Sequence, residues 1–509
     1  MFKVFGGSKK AKSVATTTNN GYAPQPPSAP PTAAQAAASK QRDDTAMLAA
    51  AASSSSSAFA AAASQRKSNV FSAPGPVPPV AGGSKSFGKS SGGLLTTPGL
   101  KSVPPGERPA MFVHHLVLAQ QVFNFNDPTI DMEEKEAKRV LLLGLVEHIN
   151  SAKDVFSESV FPEVMSMLGA NLFRDLPHNE SETGNADEEE PMLEQSWPHL
   201  QIVYEFLLRF VVSPDVDAKV AKKYISQPFI SQLLELFNSE DPREREYLKT
   251  ILHRVYGKYM GLRAFIRRAI NYVFFRIMYE SESHNGIGEL LEILGSIING
   301  FALPLKAEHK RFLVRALIPL HKVRGVGMFH NQLSYCVNQF VEKDPKMIEP
   351  ILLGILRFWP HSSSPKQIFF LNEVEDLLEL TQPSEFQKIC VPLFQTINLC
   401  INSPHFQVSE RALFLWNNEY VVSLVNQNRH QILPLVISNL NRNSTEHWNQ
   451  TVMALTGNVV KLFQEMDKNF YRECQNSTSQ QEKTQLEGKL ARIKQWDLLE
   501  KEALALDVI

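Results

Sequence analysis

Residues 241–268 read DPREREYLKTILHRVYGKYMGLRAFIRR. Asp241 precedes Pro242, so a side chain able to cap a helix stands beside a residue that tolerates the first helical turn. Leu248, Ile251 and Leu252 then recur at spacings of three and four, the period of one helical face. The pattern predicts a helix that starts abruptly at the proline. Working outward, the same punctuation returns at Asp127-Pro128, Ser213-Pro214, Asp344-Pro345 and Ser403-Pro404. Between these breaks lie further apolar faces: Leu200, Val203, Phe206, Leu207 and Phe210; Leu233, Leu234 and Phe237; Ile293, Ile297 and Ile298; Leu352, Ile355 and Leu356. No stretch alternates with the period of two that a half-buried strand requires. The reading is helix, tight turn, helix, repeated.

The turn at Asp241 and the one at Ser403 lie 162 residues apart, and each precedes a similar apolar and charged pattern (Glu244-Arg245 with Leu248; Glu410-Arg411 with Leu413 and Leu415). That separation is close to four periods of about 40 residues, the repeat length of HEAT-like helix pairs. Stacked pairs bury one continuous core and offer an extended surface to other chains. The fold class expected is therefore all-α, a HEAT-like helical-repeat solenoid with a disordered N-terminal arm. Its boundaries are placed at 1–105 for the arm, 106–478 for the solenoid and 479–509 for a C-terminal amphipathic helix, on which Leu486, Leu490, Ile493 and Trp496 form a stripe.

Composition separates the arm from the body. The chain has 509 residues and a formal net charge of −1, but residues 1–100 carry 10 basic and 2 acidic side chains, leaving the remainder at −9. The first hundred residues hold 21 Ala, 16 Ser, 10 Pro and 10 Gly, with no Trp, His or Cys, too little apolar surface to offset the entropy of ordering. A solvated tail is preferred there over a transit peptide, and Pro74–Pro79 suggests a short polyproline spacer. The beginning MFKVFGGSKKAK lacks the apolar core of a secretory signal. The uncharged run 389–408 contains Pro392, Pro404 and His405 and does not read as a membrane span. Cys336, Cys390, Cys400 and Cys474 show no CxxC spacing, which argues against a zinc ribbon or a disulfide scaffold and for the reducing cytosol or nucleus.

Catalytic motifs are not recognisable. There is no Walker loop, GxSxG, HExxH or GxGxxG. His114 and His115 are adjacent and face different sides of a helix, a poor metal clamp. His447 beside Trp448 is read as a packed or surface histidine. The expectation is a protein that is not an enzyme by itself, with no catalytic residue, no metal and no cofactor.

The richest segment is Tyr247–Lys310. His253 and Tyr256 share a helical face, Arg254, Arg263, Arg267 and Arg268 make the stretch cationic, and Ile293 and Ile297 sit four apart on the following apolar helix. Lys306 and His309 lie just beyond Pro304. If neighbouring helices pack side by side, two isoleucines and a tyrosine ring form an apolar groove rimmed by His and Arg, suited to a peptide with two aliphatic anchors and an acidic residue after them. Taken alone, the isoleucines read as core, and the basic run as a solvated face or a nucleic-acid patch; the acidic body weighs against nucleic acid.

This segment resembles the B-prime (57 kDa type) regulatory family of serine/threonine protein phosphatase 2A. The resemblance continues through Trp197-Pro198-His199-Leu200, Leu333-Ser334-Tyr335-Cys336, Phe358-Trp359-Pro360 and Leu413–Asn418, covering about residues 100–495. It implies a non-catalytic, substrate-targeting member of a heterotrimer whose other two chains are the scaffold (A) and catalytic (C) subunits, the latter holding the metals of hydrolysis. It further implies a groove for phosphoprotein substrates bearing an LxxIxE motif, with His253, Arg254, Tyr256, Arg263, Ile293, Ile297, Lys306 and His309 as the matching residues. Ile293, Ile297 and Tyr256 would hold the aliphatic side chains, His253 and Arg254 the glutamate, and Arg263, Lys306 and His309 an acid or phosphate within or after the motif. The acidic run Glu180, Glu182, Asp187, Glu188, Glu189 and Glu190 occupies the place of a loop thought to face the catalytic side. An importin-like transport receptor, also a helical solenoid, is the alternative function.

Overall fold

The computed structural model describes residues 93–152, 154–176, 191–281 and 283–506. Residues 1–92 of the arm expected to be disordered, and the acidic run Glu180–Glu190, lie outside them. The described residues form helices and no strand. In chain order they are α1 (Arg108–Leu118), α2 (Met132–Ser151), α3 (Phe161–Leu172), α4 (Trp197–Val212), α5 (Gln227–Glu235), α6 (Pro242–Lys258), α7 (Arg263–Tyr279), α8 (Ile287–Asn299) and α9 (Ala307–Phe312). Then follow α10 (His330–Lys343), α11 (Ile348–Arg357), α12 (Ser364–Glu379), α13 (Pro383–Ile401), α14 (Phe406–Phe414), α15 (Glu419–Gln427), α16 (Arg429–Glu446), α17 (Gln450–Met466) and α18 (Lys468–Leu506). Helix α9 continues through a π-turn over Leu313–Leu317 into Ile318–Leu320.

The helices fall into two rows. One runs α2, α4, α6, α8, α10, α12, α14, α17, each packed on the next; the other runs α5, α7, the continuation of α9, α11, α13, α16. A second helix every repeat is what lets each pair bury an apolar stripe it could not bury alone. The period is visible in the polar contacts between neighbours within a row: Arg245–Glu289 joins residues 44 apart, His253–Ser296 43, Asn418–Glu379 39 and Asn443–Ile401 42. The repeat of about 40 inferred from two distant turns is thus set pair by pair along the chain.

The punctuation has the roles expected of it, with differences in where helices begin. Asp241 accepts a hydrogen bond from the Arg243 N–H and caps α6, with Pro242 as its first residue. Asp344 caps a short 3-10 turn at Pro345 in the same way. Pro128, Pro214 and Pro404 lie in turns rather than first helical turns, with Asp127 and Ser403 accepting hydrogen bonds from Thr129 N–H and His405 N–H.

Two boundaries move. Leu94, Leu100 and Val103 are buried, and the Pro98 carbonyl lies 3.2 Å from His115 Nε2, so the packed body already includes residues 94–105, ahead of the expected boundary at 106. The last helix begins at Lys468 rather than 479; Tyr471 and Cys474 are buried, whereas Leu486, Leu490, Ile493 and Trp496 are exposed. The C-terminal stripe is therefore an uncovered face, because α18 outruns the helix it packs on.

Buried polar groups tie the repeats together. Arg174 forms ion pairs with Glu194 and with the fully buried Glu244, whose carboxylate also accepts from Tyr204 Oη at 2.6 Å. This pins both ends of the segment containing the acidic run onto α6. Farther along, Glu373 on α12 is buried between His321 and His330. The four cysteines are buried and unpaired, and burial pushes the Cys336 and Cys400 thiols up to about 12.

Candidate functional site

Helices α6 and α8 are held in register by a three-rung ladder. On α6, Arg245, Lys249 and His253 follow one another at spacings of four; on α8, Glu289, Glu292 and Ser296 follow at three and four. These spacings put each triplet on one helical face. Arg245 Nε donates to Glu289 at 2.7 Å, Lys249 Nζ to Glu292 at 2.6 Å, and His253 Nε2 lies 3.0 Å from Ser296 Oγ. Gly295 permits the other flank of α8 to pack closely, since a Cβ there would stand 2.8 Å from the Tyr335 ring of α10. The ladder leaves Arg254, one residue past its last rung, exposed and without an ion-pair partner among the described residues.

The end of α6 is joined to α7 by arginines one turn apart. Arg263 Nε donates to the Tyr256 carbonyl at 2.9 Å and Nη2 to that of Gly257 at 3.0 Å, which satisfies carbonyls of the last turn of α6. The same guanidinium lies 5.3 Å from the centre of the Tyr256 ring, a cation–π arrangement. Arg267 Nη1 donates to Tyr256 Oη at 3.0 Å, and its Nη2 is 3.9 Å from Glu308. Glu308 in turn is 3.5 Å from His309 Nε2, and the His309 ring stacks on Phe301 with centroids 3.7 Å apart. Lys306 projects from the turn before α9 and is exposed.

Ser296, His253, Tyr256, Arg263, Arg267, Glu308, His309 and Phe301 thus bring together four helices, α6 to α9, and the segment between α8 and α9. His253, Tyr256, Arg263 and His309, read from the sequence, belong to this continuous set, with Arg254 and Lys306 exposed beside it. Ile293 and Ile297 lie on α8 on either side of Gly295 but are only 2% and 6% exposed, so they belong to the packed core rather than to an open trough. Residues that the sequence reading left out of the site are Ser296, Phe301, Arg267 and Glu308. Arg267 had a signal, its spacing of four from Arg263; Ser296 had one too, as the third member of the face begun by Glu289 and Glu292.

The rim histidines sit in partly dry, cationic surroundings. Burial, aided by the neighbouring Arg254 charge, holds His253 below its ordinary value of 6.5. Burial also lowers His309; Glu308 opposes this, while Arg267 and Lys306 add to it. In the free chain both rings are therefore neutral near pH 7, and the standing positive charge of the rim comes from Arg254, Arg263, Arg267 and Lys306. Such a surface can bind an anion by charge-assisted hydrogen bonds. Among the described residues no three His, Cys, Asp or Glu side chains converge as metal ligands, and no helix is long and apolar enough to cross a membrane.

Comparison with known proteins gives one answer. The sequence profile of the protein phosphatase 2A regulatory B subunit (B56 family) matches residues 97–503. The chain is 53% identical over 385 residues to the delta isoform of the serine/threonine-protein phosphatase 2A 56 kDa regulatory subunit of Oryctolagus cuniculus, a match covering 75% of this chain and 66% of that one. It is 52% identical over 408 residues to the theta isoform of the 57 kDa B' regulatory subunit of Arabidopsis thaliana, covering 79% and 83%. Identity to the alpha isoform of Mus musculus is 49% over 407 residues, covering 80% and 84%. The match spans just under two thirds of the length of the Oryctolagus cuniculus delta isoform.

Proposed function

Because the chain belongs to the B56 family of protein phosphatase 2A regulatory B subunits, we propose that it targets substrates for a heterotrimer completed by the scaffold (A) and catalytic (C) subunits, and that it captures clients through LxxIxE motifs. As a regulatory rather than a catalytic chain, it contributes position. Holding a client close to the phosphatase centre raises the effective concentration of the phosphorylated residue without altering the chemistry of hydrolysis. Family membership leaves no support for the transport-receptor alternative. The cytosol or the nucleus, where thiols stay reduced, suits its four unpaired cysteines.

What supports the motif proposal is the contact of His253 with Ser296 on α8 and the chain of contacts from Tyr256 through Arg263 and Arg267 to Glu308 and His309, with Arg254 and Lys306 exposed. Arg254 and His253 are assigned to the motif glutamate. Tyr256, with the edges of Ile293 and Ile297, is assigned to its leucine and isoleucine; because the isoleucines are nearly covered in the free chain, seating these anchors requires a small outward adjustment. Burying two aliphatic side chains contributes about 3–6 kcal/mol, a charge-assisted hydrogen bond about 1.5–3 kcal/mol, and ordering the peptide costs about 2–5 kcal/mol. At its most favourable this balance is about 7 kcal/mol, a dissociation constant of about 10 μM. Such binding is weak enough to release a client after dephosphorylation.

The test is a rate. A trimer reconstituted with this chain should dephosphorylate a phosphopeptide fused to LxxIxE faster than one fused to a scrambled motif, at substrate concentrations below the binding constant. Equal rates for the two substrates sink the recruitment proposal, whereas failure to assemble with the scaffold and catalytic chains sinks the holoenzyme role itself.

Proton linkage gives a second expected outcome. A carboxylate bound at the rim raises the values of His253 and His309 from their lowered free-state positions. Binding therefore takes up protons, and affinity for an acidic motif should rise as pH falls from about 8 towards about 6. Below the free-state values of the two rings the gain should level off. Calorimetry in two buffers of different ionisation enthalpy measures the uptake directly; no uptake contradicts the assignment of these histidines to the anion.

A further inference from the structure

Glu308 is a carboxylate placed at the lip of an otherwise cationic groove. It is 61% exposed, lies 3.9 Å from Arg267 Nη2 and 3.5 Å from His309 Nε2, and so stands where an acid supplied by a bound peptide would stand. Its neighbours are positioned independently of it: Arg267 is held by Tyr256 Oη, and His309 by stacking on Phe301. His309 Nδ1 is buried without a hydrogen-bond partner, so Nε2 is the nitrogen presented to the groove. Removing the carboxylate therefore leaves Arg267 and His309 in place and unpaired.

We propose that Glu308 is an intramolecular competitor for the acid-binding end of the groove, which sets how strongly clients are selected for negative charge following the motif. This rests on the LxxIxE assignment above and extends it to a residue that would touch no part of the motif itself. When the peptide carries no charge after the motif, Glu308 keeps Arg267 and His309 paired. An acidic or phosphorylated residue must displace Glu308, and the exchange of one anion for another returns only the difference between them. A doubly charged phosphate gains more from the exchange than a carboxylate does. Glu308 thereby reduces the advantage of both kinds of charged client over uncharged ones by the strength of its own pairing.

The experiment uses the full chain and three fluorescent LxxIxE peptides, identical except for glutamine, glutamate or phosphoserine just after the motif, titrated against wild type, Glu308→Gln and Arg254→Ala. Glu308 faces two partners, which places it in the upper part of the range for exposed ion pairs, about 0.4–1 kcal/mol, so Glu308→Gln should tighten the glutamate peptide about two- to five-fold. The glutamine peptide should change by less than about 1.5-fold on the same scale. The phosphoserine peptide should gain about as much as the glutamate peptide, and every gain should shrink at about 0.5 M salt, where the screening length is only a few ångströms. If Arg254→Ala weakens all three peptides while Glu308→Gln leaves the glutamate peptide unchanged, weakens it, or tightens all three equally, the competitor role is overturned and the groove stands. If Arg254→Ala weakens none of them, the groove assignment falls and takes this proposal with it. Because Glu308 lies on the surface, the Gln variant should melt with wild type, which separates a binding effect from a folding one.

Discussion

Replacing Glu373 with alanine should destabilise the repeats around α12 by about 3–5 kcal/mol, the cost of leaving a buried charge without its partner. The ring of His321 shows why. Its Nδ1 lies 2.8 Å from the Ile318 carbonyl and its Nε2 3.1 Å from both Glu373 oxygens. All three partners are acceptors, so both nitrogens must donate and the ring is an imidazolium. Burial opposes that charge, but the Glu373 carboxylate outweighs it and holds His321 above its ordinary 6.5. Despite its own burial, Glu373 is drawn down to about 2 by His321 and His330. Asp376, one turn along α12, faces the same acidic neighbourhood and is raised by burial and by Glu379, Glu375 and Glu373.

The pH dependence follows with opposite signs for the two partners. His321 has a raised folded-state value, so its contribution is complete below about 6.5 and is lost as pH rises through that raised value. Glu373 has a depressed value, so its contribution is complete above its ordinary 4.5 and is lost as pH falls towards about 2. The pair should therefore stabilise most between these limits. Glu373→Gln, which keeps hydrogen-bonding atoms but not the charge, should flatten this profile and cost less than alanine. Hydrogen exchange of α12 as a function of pH measures it; identical profiles for wild type and Gln exclude a buried ion pair.

The second large effect is on binding. Arg254→Ala should weaken an LxxIxE peptide by about 10- to 100-fold, the equivalent of losing one charge-assisted hydrogen bond. Arg254 is exposed and unpaired in the free chain, so its loss should leave thermal stability and assembly with the phosphatase core unchanged. A variant that melts early, or fails to assemble, places Arg254 in the fold instead.

Much of this architecture could be read from the sequence, for identifiable reasons. Asp241-Pro242 fixed a helix start because the cap and the proline act locally, within a few residues. His253, Tyr256, Arg263 and His309 could be named together because they lie on consecutive helices of one repeat pair and the next. What escaped notice depends on contacts between distant segments. Arg263 reads as a free cation, but two backbone carbonyls of α6 hold its guanidinium. Ile293 and Ile297 read as core when taken alone and as groove residues through the family resemblance, and the packing of α8 against α6 and α10 shows how completely they are covered. Glu308 is an ordinary surface acid in the string AEHK until Arg267 arrives beside it from 41 residues upstream. The burial of Leu94 and Leu100 was hidden by their position at the end of a segment whose average composition is that of a solvated tail.

The central claim is that Arg254 meets the glutamate of an LxxIxE motif, and a double-mutant cycle reads that contact alone. Affinities are measured for wild type and Arg254→Ala, each with LxxIxE and with the peptide whose glutamate is replaced by alanine. The account requires strong coupling, about 1.5 kcal/mol or more, so that Arg254→Ala costs little once the glutamate is gone. Independent, additive losses from the two changes would contradict it.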